Sequence, residues 1–317
     1  MRRLLAAIVL PFLATVAHAQ AWPSKPVRVV VPYSPGGGAD AISRIYFGKV
    51  AADLGQSFNI ENRGGGAGTI GPSIVAKSPA DGYTILHDAT AFSINPALLP
   101  KLPYDSAKEF IPVFLAGVVP NLLVVHPAVP VKNVADIIAL GKATPSGLDW
   151  ASSGNGSAQH LALDLFKRQA GIKLNHVPYK GGGPAIGDLA GGHIKFFFSN
   201  TASSTPHVKA GTIRAVAHTG TERLATFPDL PAVAETLPGF EAFEWNGVLL
   251  PAGTPREIVD KLSAALNAAQ KDEGVRAKLA ALSVQSKPNT PEDFAKFVQD
   301  QTAKWGRIIR EGNIKVE

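Results

Sequence analysis

Strands, glycine-rich loops and helices alternate along this chain, and that alternation restricts its fold more than any other feature. Pro26 to Val31 (PVRVVV) is short, β-branched and closed by Pro32, the pattern of a buried strand. Tyr33-Ser34-Pro35-Gly36-Gly37-Gly38-Ala39-Asp40 follows and leads into a helical pattern from Ala41 to Leu54. Phe58 to Glu61 reads as a second strand, Gly64 to Gly68 as a second glycine run before a short helix, and Tyr83 to His87 as a third strand. Strand–loop–helix units in series predict an α/β fold with parallel strands and crossover helices.

A second series starts near Leu122-Leu123-Val124-Val125, a continuous apolar strand. Asn133 is placed to cap a helix through Leu140, and Leu148 to Ser152 is a strand. Gly154-Asn155-Gly156-Ser157 opens a helix from Ala158 to Gln169, and Leu174 to Pro178 is a strand before a third glycine run at Gly181 to Gly183. Ile194 to Phe198 and Ile213 to Ala217 complete the set, and Trp245 to Leu250 is the return strand. A chain of 317 residues is large for one core. The expectation is two lobes, the second inserted in the first: residues 20–123 and 246–317 in lobe 1, residues 124–245 in lobe 2.

The last third is helical. Thr254-Pro255-Arg256-Glu257 has the form of a capping box with proline at the first helical position, and Thr290-Pro291-Glu292-Asp293 repeats it with Asp in place of Glu. Ile258, Leu262, Leu266 and Ala269 recur at helical spacing, as do Phe294, Phe297, Val298, Trp305, Ile308 and Ile309. These helices are expected to pack back on the first lobe and are assigned no chemistry.

The first residues have the form of an export signal, residues 1–19. Arg2 and Arg3 precede an apolar run from Leu4 to Val16, and Ala17-His18-Ala19 offers small residues for cleavage before Gln20. The run is shorter than the roughly 20 residues that span a bilayer. The chain has no cysteine, which removes disulfides, thiolate chemistry and an acyl anchor together. A soluble periplasmic protein without a membrane anchor is expected. The formal net charge of +6 is mild and its basic residues are interspersed with acids, so no nucleic-acid footprint is expected.

The loops at Gly36 to Asp40, Asn155 to Ser157 and Gly181 to Gly183 share one design. Glycine lets backbone approach a ligand closely, and a helix N-terminus offers unpaired N–H groups and the positive end of a dipole. They suit the oxygens of a carboxylate or phosphate; the alternative is that they are tight turns that need glycine sterically. Gly66-Ala67-Gly68-Thr69-Ile70-Gly71 has the letters of a dinucleotide fingerprint, with Asp88 after the next strand. Against it stand a short helix carrying Pro72 and an exported location. Ser153 sits in Ala-Ser-Ser-Gly-Asn, which lacks the first glycine of a nucleophile elbow. Ser157 and His160 share a helix face, the spacing of a cap with a packed imidazole or of a catalytic pair. The eight histidines show no zinc-ligand spacing and the acids do not cluster, so no metal and no cofactor is expected.

An ordered set of segments resembles the Bug family, the extracytoplasmic receptors of tripartite tricarboxylate transporters. It comprises Trp22-Pro23-Ser24-Lys25-Pro26-Val27-Arg28, Val31 to Asp40 (VPYSPGGGAD), Glu61 to Gly68 (ENRGGGAG), Pro79 to Thr84 (PADGYT) and Leu102 to Asp105 (LPYD). His176 to Gly181 (HVPYKG), Pro206 to Gly211 (PHVKAG) and Pro251 to Pro255 (PAGTP) continue it. The resemblance implies a periplasmic two-lobed binding protein of the Venus flytrap kind (type II-like), a monomer that holds a small organic carboxylate between its lobes and delivers it to integral-membrane transporter subunits. It points to Tyr33, Gly37, Gly38, Ala39 and Asp40, and to Thr90 and Ser93 after the third strand. From the second lobe it points to Ser153, Asn155, Gly156, Ser157, His160, Tyr179, Gly181 and Asn200. Tyr33-Ser34 stands where the family more often has Phe-Pro. Two other functions stay open at this point: a periplasmic enzyme, hydrolase or nucleotide-dependent oxidoreductase, and a receptor that signals to a sensor kinase.

Overall fold

The computed structural model describes residues 22–312 and 314; the export signal lies outside the described residues. The first lobe opens with β1 (Val27–Val31), α1 (Gly38–Leu54), β2 (Phe58–Asn62), α2 (Ile70–Ala76), β3 (Thr84–Ala89) and α3 (Ala91–Leu98). The long strand β4 (Phe110–Val125) leads into the second lobe. There α4 (Val134–Lys142), β5 (Leu148–Ser152), α5 (Ala158–Ala170), β6 (Leu174–Pro178), α6 (Gly182–Ala190), β7 (Phe196–Asn200), α7 (Thr201–Lys209) and β8 (Arg214–His218) follow in turn. The chain returns along β9 (Phe243–Pro251) and ends with α8 (Arg256–Lys271), α9 (Glu273–Ala281) and α10 (Pro291–Gly312).

One curled sheet runs through both lobes in the order β2-β1-β3-β9-β4-β7-β5-β6, with β8 on β4. β1 lies between β2 and β3, parallel to both, and its four valines are all buried, as a strand covered on both faces must be. β4 serves both lobes. It pairs antiparallel with β9 from Phe110 to Pro120, then with β7 from Asn121 to Val125, so its partners change between those two residues. Both expected lobe boundaries, 123/124 and 245/246, fall inside β4 and β9.

Each lobe carries helices on both faces of its part of the sheet. On one side of lobe 1, Ile42, Tyr46 and Phe47 of α1 pack with Val259, Leu262 and Leu266 of α8. On the other, Phe294 and Val298 of α10 meet Phe92 of α3 and Trp245 of β9. Gly247 makes that second packing possible, because a Cβ there would stand 2.1 Å from Phe294 Cζ. Lobe 2 centres on Trp150, Phe166, Phe198 and Phe240, with Ile186 and Leu189 of α6 against Phe197 on the opposite face.

Four expectations from sequence change. α1 begins at Gly38 rather than Ala41, because Gly37 accepts the first helical bond from the Ala41 amide at 3.0 Å; Gly38, Ala39 and Asp40 therefore form the first turn of the helix. β4 extends back to Phe110 through Pro112 and Gly117, with its register shifting between Pro112 and Phe114 and between Leu115 and Gly117. Thr254 does not cap α8: its hydroxyl donates to the Pro251 carbonyl at 2.7 Å, and Pro255 takes the N-cap position. The second box does form, with the Asp293 amide on Thr290 Oγ1 and the Thr290 amide on Asp293 Oδ2, both at 3.0 Å. Finally, α10 does not pack on the first lobe alone, since Trp305 and Ile309 reach Leu161 on α5.

Candidate ligand-binding cleft

The two lobes are closed on each other. The Ser34 amide and hydroxyl both donate to the Lys180 carbonyl, at 3.0 and 2.9 Å. Glycines permit this approach. A Cβ on Gly183, at the start of α6, would stand 2.3 Å from the Pro35 carbonyl oxygen. One on Gly38 would stand 2.5 Å from the Asn200 side chain, and one on Gly156 would stand 2.6 Å from Asn95 Oδ1. The three glycine loops therefore meet across one seam.

Behind that seam lies a cavity of about 20 Å³, on the scale that holds a single water. Lobe 1 contributes Tyr33, Gly37, Gly38 and Ala39 from the first loop and Ala89, Thr90 and Ala91 from the end of β3. Lobe 2 contributes Ser153, Ser157, Ala158 and Gln159 around the start of α5, with Gly182, Asn200 and Ser203; Glu244 comes from β9. α1 and α5 thus point their N-termini into one space from opposite lobes, and the first-turn amides of each have no acceptor within their helix. Unpaired amides at the positive end of a dipole favour an anion.

The supporting contacts show how the sequence holds this arrangement. Gly36 takes a positive φ of 79°, and its amide donates to Asp40 Oδ2 at 3.0 Å. Burial alone would raise the Asp40 carboxyl, but Arg44, the Gly36 amide and Asn62 hold it below the usual range. Asp40 thereby braces its own loop and does not line the cavity. In lobe 2, Ser157 caps α5 by accepting the His160 amide at 3.1 Å. The His160 ring accepts the Gly156 amide on Nδ1 and stacks on His176, with centroids 4.1 Å apart. That is a cap with a packed imidazole.

Several other residues singled out from sequence also face their surroundings. Thr90 Oγ1 accepts the Trp245 amide at 2.8 Å, and Ser93 bridges the Thr90 carbonyl and the Trp245 indole. Gly156 packs on Asn95, and Gly181 caps α6 against the Ser34 amide. Asn155 and Tyr179 line a second, outer pocket of about 150 Å³, together with Gly65 to Gly68. Tyr33 and Ser153 line both spaces. The Tyr179 hydroxyl donates to Asp188 at 2.7 Å, and burial and that carboxylate push it up to about 12. The letters GxGxxG form a 3-10 turn over Gly66–Gly68, and the helix after it begins only at Ile70.

Sequence reasoning missed Glu244 and Gln159. Glu244 is 7% exposed and Gln159 is fully buried. Gln159 Nε2 donates to Glu244 Oε2 at 2.7 Å, while Asn200 and Asn246 donate to Oε1 at 2.8 and 3.2 Å. Burial pushes the Glu244 carboxyl above its ordinary range, against those three donors. Asp88 lies near, taking the Tyr33 hydroxyl at 3.0 Å and the Ala89 amide at 2.7 Å, and burial pushes it up to about 7. The available signal was an acid among mostly apolar residues in the return strand, two positions before Asn246.

Two α/β lobes joined through a shared strand pair, with opposed helix N-termini in the seam, define a two-lobed solute-binding protein. The chain belongs to the tripartite tricarboxylate transporter family receptors, whose family model matches residues 42–314. It is 34% identical to protein BugT of Bordetella pertussis, over all of this chain and 99% of that one. Among solved structures it resembles periplasmic binding protein BugD (31% identity, TM-score 0.90, covering 93% of this chain and 100% of that one). It also resembles R. palustris Rpa4515 with adipate (36%, 0.90, 93% and 99%) and MatC from Rhodopseudomonas palustris with bound malate (31%, 0.86, 91% and 100%).

Proposed function

We propose that this protein captures a small organic carboxylate in the periplasm and delivers it to the integral-membrane subunits of a tripartite tricarboxylate-type transporter, without chemical turnover. The observation that carries the reading is the convergence of the α1 and α5 N-termini on one cavity between closed lobes. Neutral donors suit such a site, since they bind a carboxylate without leaving a buried cation unpaired between ligands. The adipate and malate held by two similar receptors support a carboxylate ligand here. Residues 20–123 and 246–317 would move against residues 124–245 about the β4–β9 pair, as a hinge closing on its ligand. The closed form, once favoured by ligand, is what a membrane partner would read.

A thermal-shift screen of C2 to C10 dicarboxylates, aromatic acids and amino acids tests the reading. A ligand at about 100 times its Kd adds roughly 2.7 kcal/mol of stability, a clear rise in Tm. A response to sugars or cations and to no carboxylate would overturn it.

A further inference from the structure

Two buried acids stand at the cavity with no cation between them. Glu244 lines it, and its carboxylate takes amide donors from Gln159, Asn200 and Asn246. Asp88 is fully buried next to Ala89, which lines the same cavity. β3 and β9 pair antiparallel with Ala89 opposite Asn246, so the two acids lie on neighbouring strands. The hydroxyl of Tyr33, another lining residue, donates to Asp88 Oδ1, while Asp88 Oδ2 is buried without a hydrogen-bond partner. Neither acid forms an ion pair among the described residues, although buried charges are ordinarily paired. The titratable groups coupled to the pair are Tyr33 and Tyr104, whose hydroxyls burial raises and keeps neutral. His87, beside Asp88 on β3, turns to the other face against Phe47 of α1.

The positive potential in this cavity comes from the α1 and α5 N-termini. A ligand carboxylate seated there occupies those amides and brings a further negative charge beside Glu244. Closed lobes leave little water to screen it, and like charges in a dry site repel strongly. Carboxylates that share such a site keep a proton among them and titrate as a group. Burial already pushes the Asp88 carboxyl up to about 7, with the Glu244 charge adding to it against the Ala89 amide and the Tyr33 hydroxyl. Burial likewise pushes Glu244 above its ordinary range. We propose that capture of a carboxylate in this cleft takes up a proton from solvent, held on the Glu244–Asp88 pair. The ligand stays ionised on the helix N-termini, and one of the two acids becomes a neutral carboxyl, so the added charge is balanced inside the closed site. This rests on the receptor reading above and supplies a regulation of the same site: affinity rises as pH falls toward neutrality, and a rise in pH favours release.

The test counts protons. The tightest carboxylate from the screen that has no group of its own titrating near pH 8 is added to the protein in unbuffered solution at that pH. A pH-stat records the acid needed to hold the pH as the ligand binds. The wild type is expected to take up between about 0.5 and 1 proton per bound ligand, and its calorimetric Kd to rise roughly three- to tenfold per pH unit between pH 7 and 9. Glu244→Gln combined with Asp88→Asn removes both proton sites. That variant should take up less than about 0.1 proton and bind with a Kd that no longer follows pH. A wild type that binds the ligand without proton uptake, or with proton release, overturns the inference and leaves the receptor function standing. Undiminished uptake in the double variant also overturns it, because the proton then resides elsewhere. The wild-type count stands even where the variant fails to fold. Binding of no carboxylate at any pH would remove the receptor reading and this inference with it.

Discussion

Ser34 and Lys180, one in each lobe, are joined by two hydrogen bonds that share a single acceptor: the Ser34 amide and hydroxyl both donate to the Lys180 carbonyl, at 3.0 and 2.9 Å. The pair stabilises the closed form directly, independent of what lies behind it. Proline at position 34 could donate neither bond, and alanine could donate one. Ser34→Ala should raise the ligand dissociation rate a few-fold and Ser34→Pro about tenfold or more, with association little changed. Stopped-flow tryptophan fluorescence reads both rates. Equal dissociation from all three proteins would show that the seam does not hold the lobes.

Asp88 should make the protein less stable as pH rises. Burial pushes its carboxyl up to about 7 in the folded protein, against about 4 in an unfolded chain. The folded state therefore keeps a proton that the unfolded state has lost. The stability from this site is complete below about pH 4 and is lost as pH climbs through 7. Asp88→Asn retains an oxygen for the Tyr33 hydroxyl and cannot ionise. Urea unfolding should show the variant gaining about 2–3 kcal/mol on the wild type between pH 5 and pH 8; parallel pH profiles would contradict the burial argument.

His87 acts in the opposite direction. Burial brings its imidazole down to about 4, against the opposing pull of the Asn246 side chain and the Asp40 charge. The folded state holds it neutral where the unfolded chain would protonate it near 6.5. The stability from this site is complete above 6.5 and is lost as pH falls through 4. His87→Leu should flatten the acid limb by about 2–3 kcal/mol between pH 7 and 4.5, measured by the same unfolding experiment. An unchanged acid limb would mean that His87 is protonated in the folded protein.

Local pattern showed much of the scaffold. β5 and β6 occupy the spans expected from sequence, Leu148–Ser152 and Leu174–Pro178, each set between a helix and a glycine-rich loop. The Asn133 cap is where its side chain suggests, accepting the Asp136 amide. What sequence hid depends on distant neighbours. β4 passes through Pro112, Gly117 and Pro120 because β9 supports it along its first part, and no local pattern announces that partner. The Thr254 box fails because a turn back to Pro251 takes the hydroxyl first.

The site divides along the same line. The glycines of the three loops were visible as loop residues, but their reason for being glycine lies across the seam, at Pro35 and Asn200. Asp40 stood out as part of the loop motif and turns back on Gly36 and Arg44. Glu244 and Gln159 reach the cavity only through the meeting of β9 and α5, which no spacing in the chain records.

Closure of the lobes on a carboxylate should depend on glycine at the first helix N-terminus. Gly38 is helical, so alanine suits its backbone and raises helix propensity. Its Cβ would meet Asn200, a short side chain already tied to Glu244 and to the Ala202 amide. Calorimetric titration of the tightest carboxylate from the screen into wild type and Gly38→Ala tests this most directly. A loss of affinity of at least tenfold, with urea unfolding of the ligand-free protein unchanged or slightly more stable, is the predicted result. Unaltered affinity in a folded Gly38→Ala protein would contradict the account, because the ligand would then be bound somewhere other than this seam.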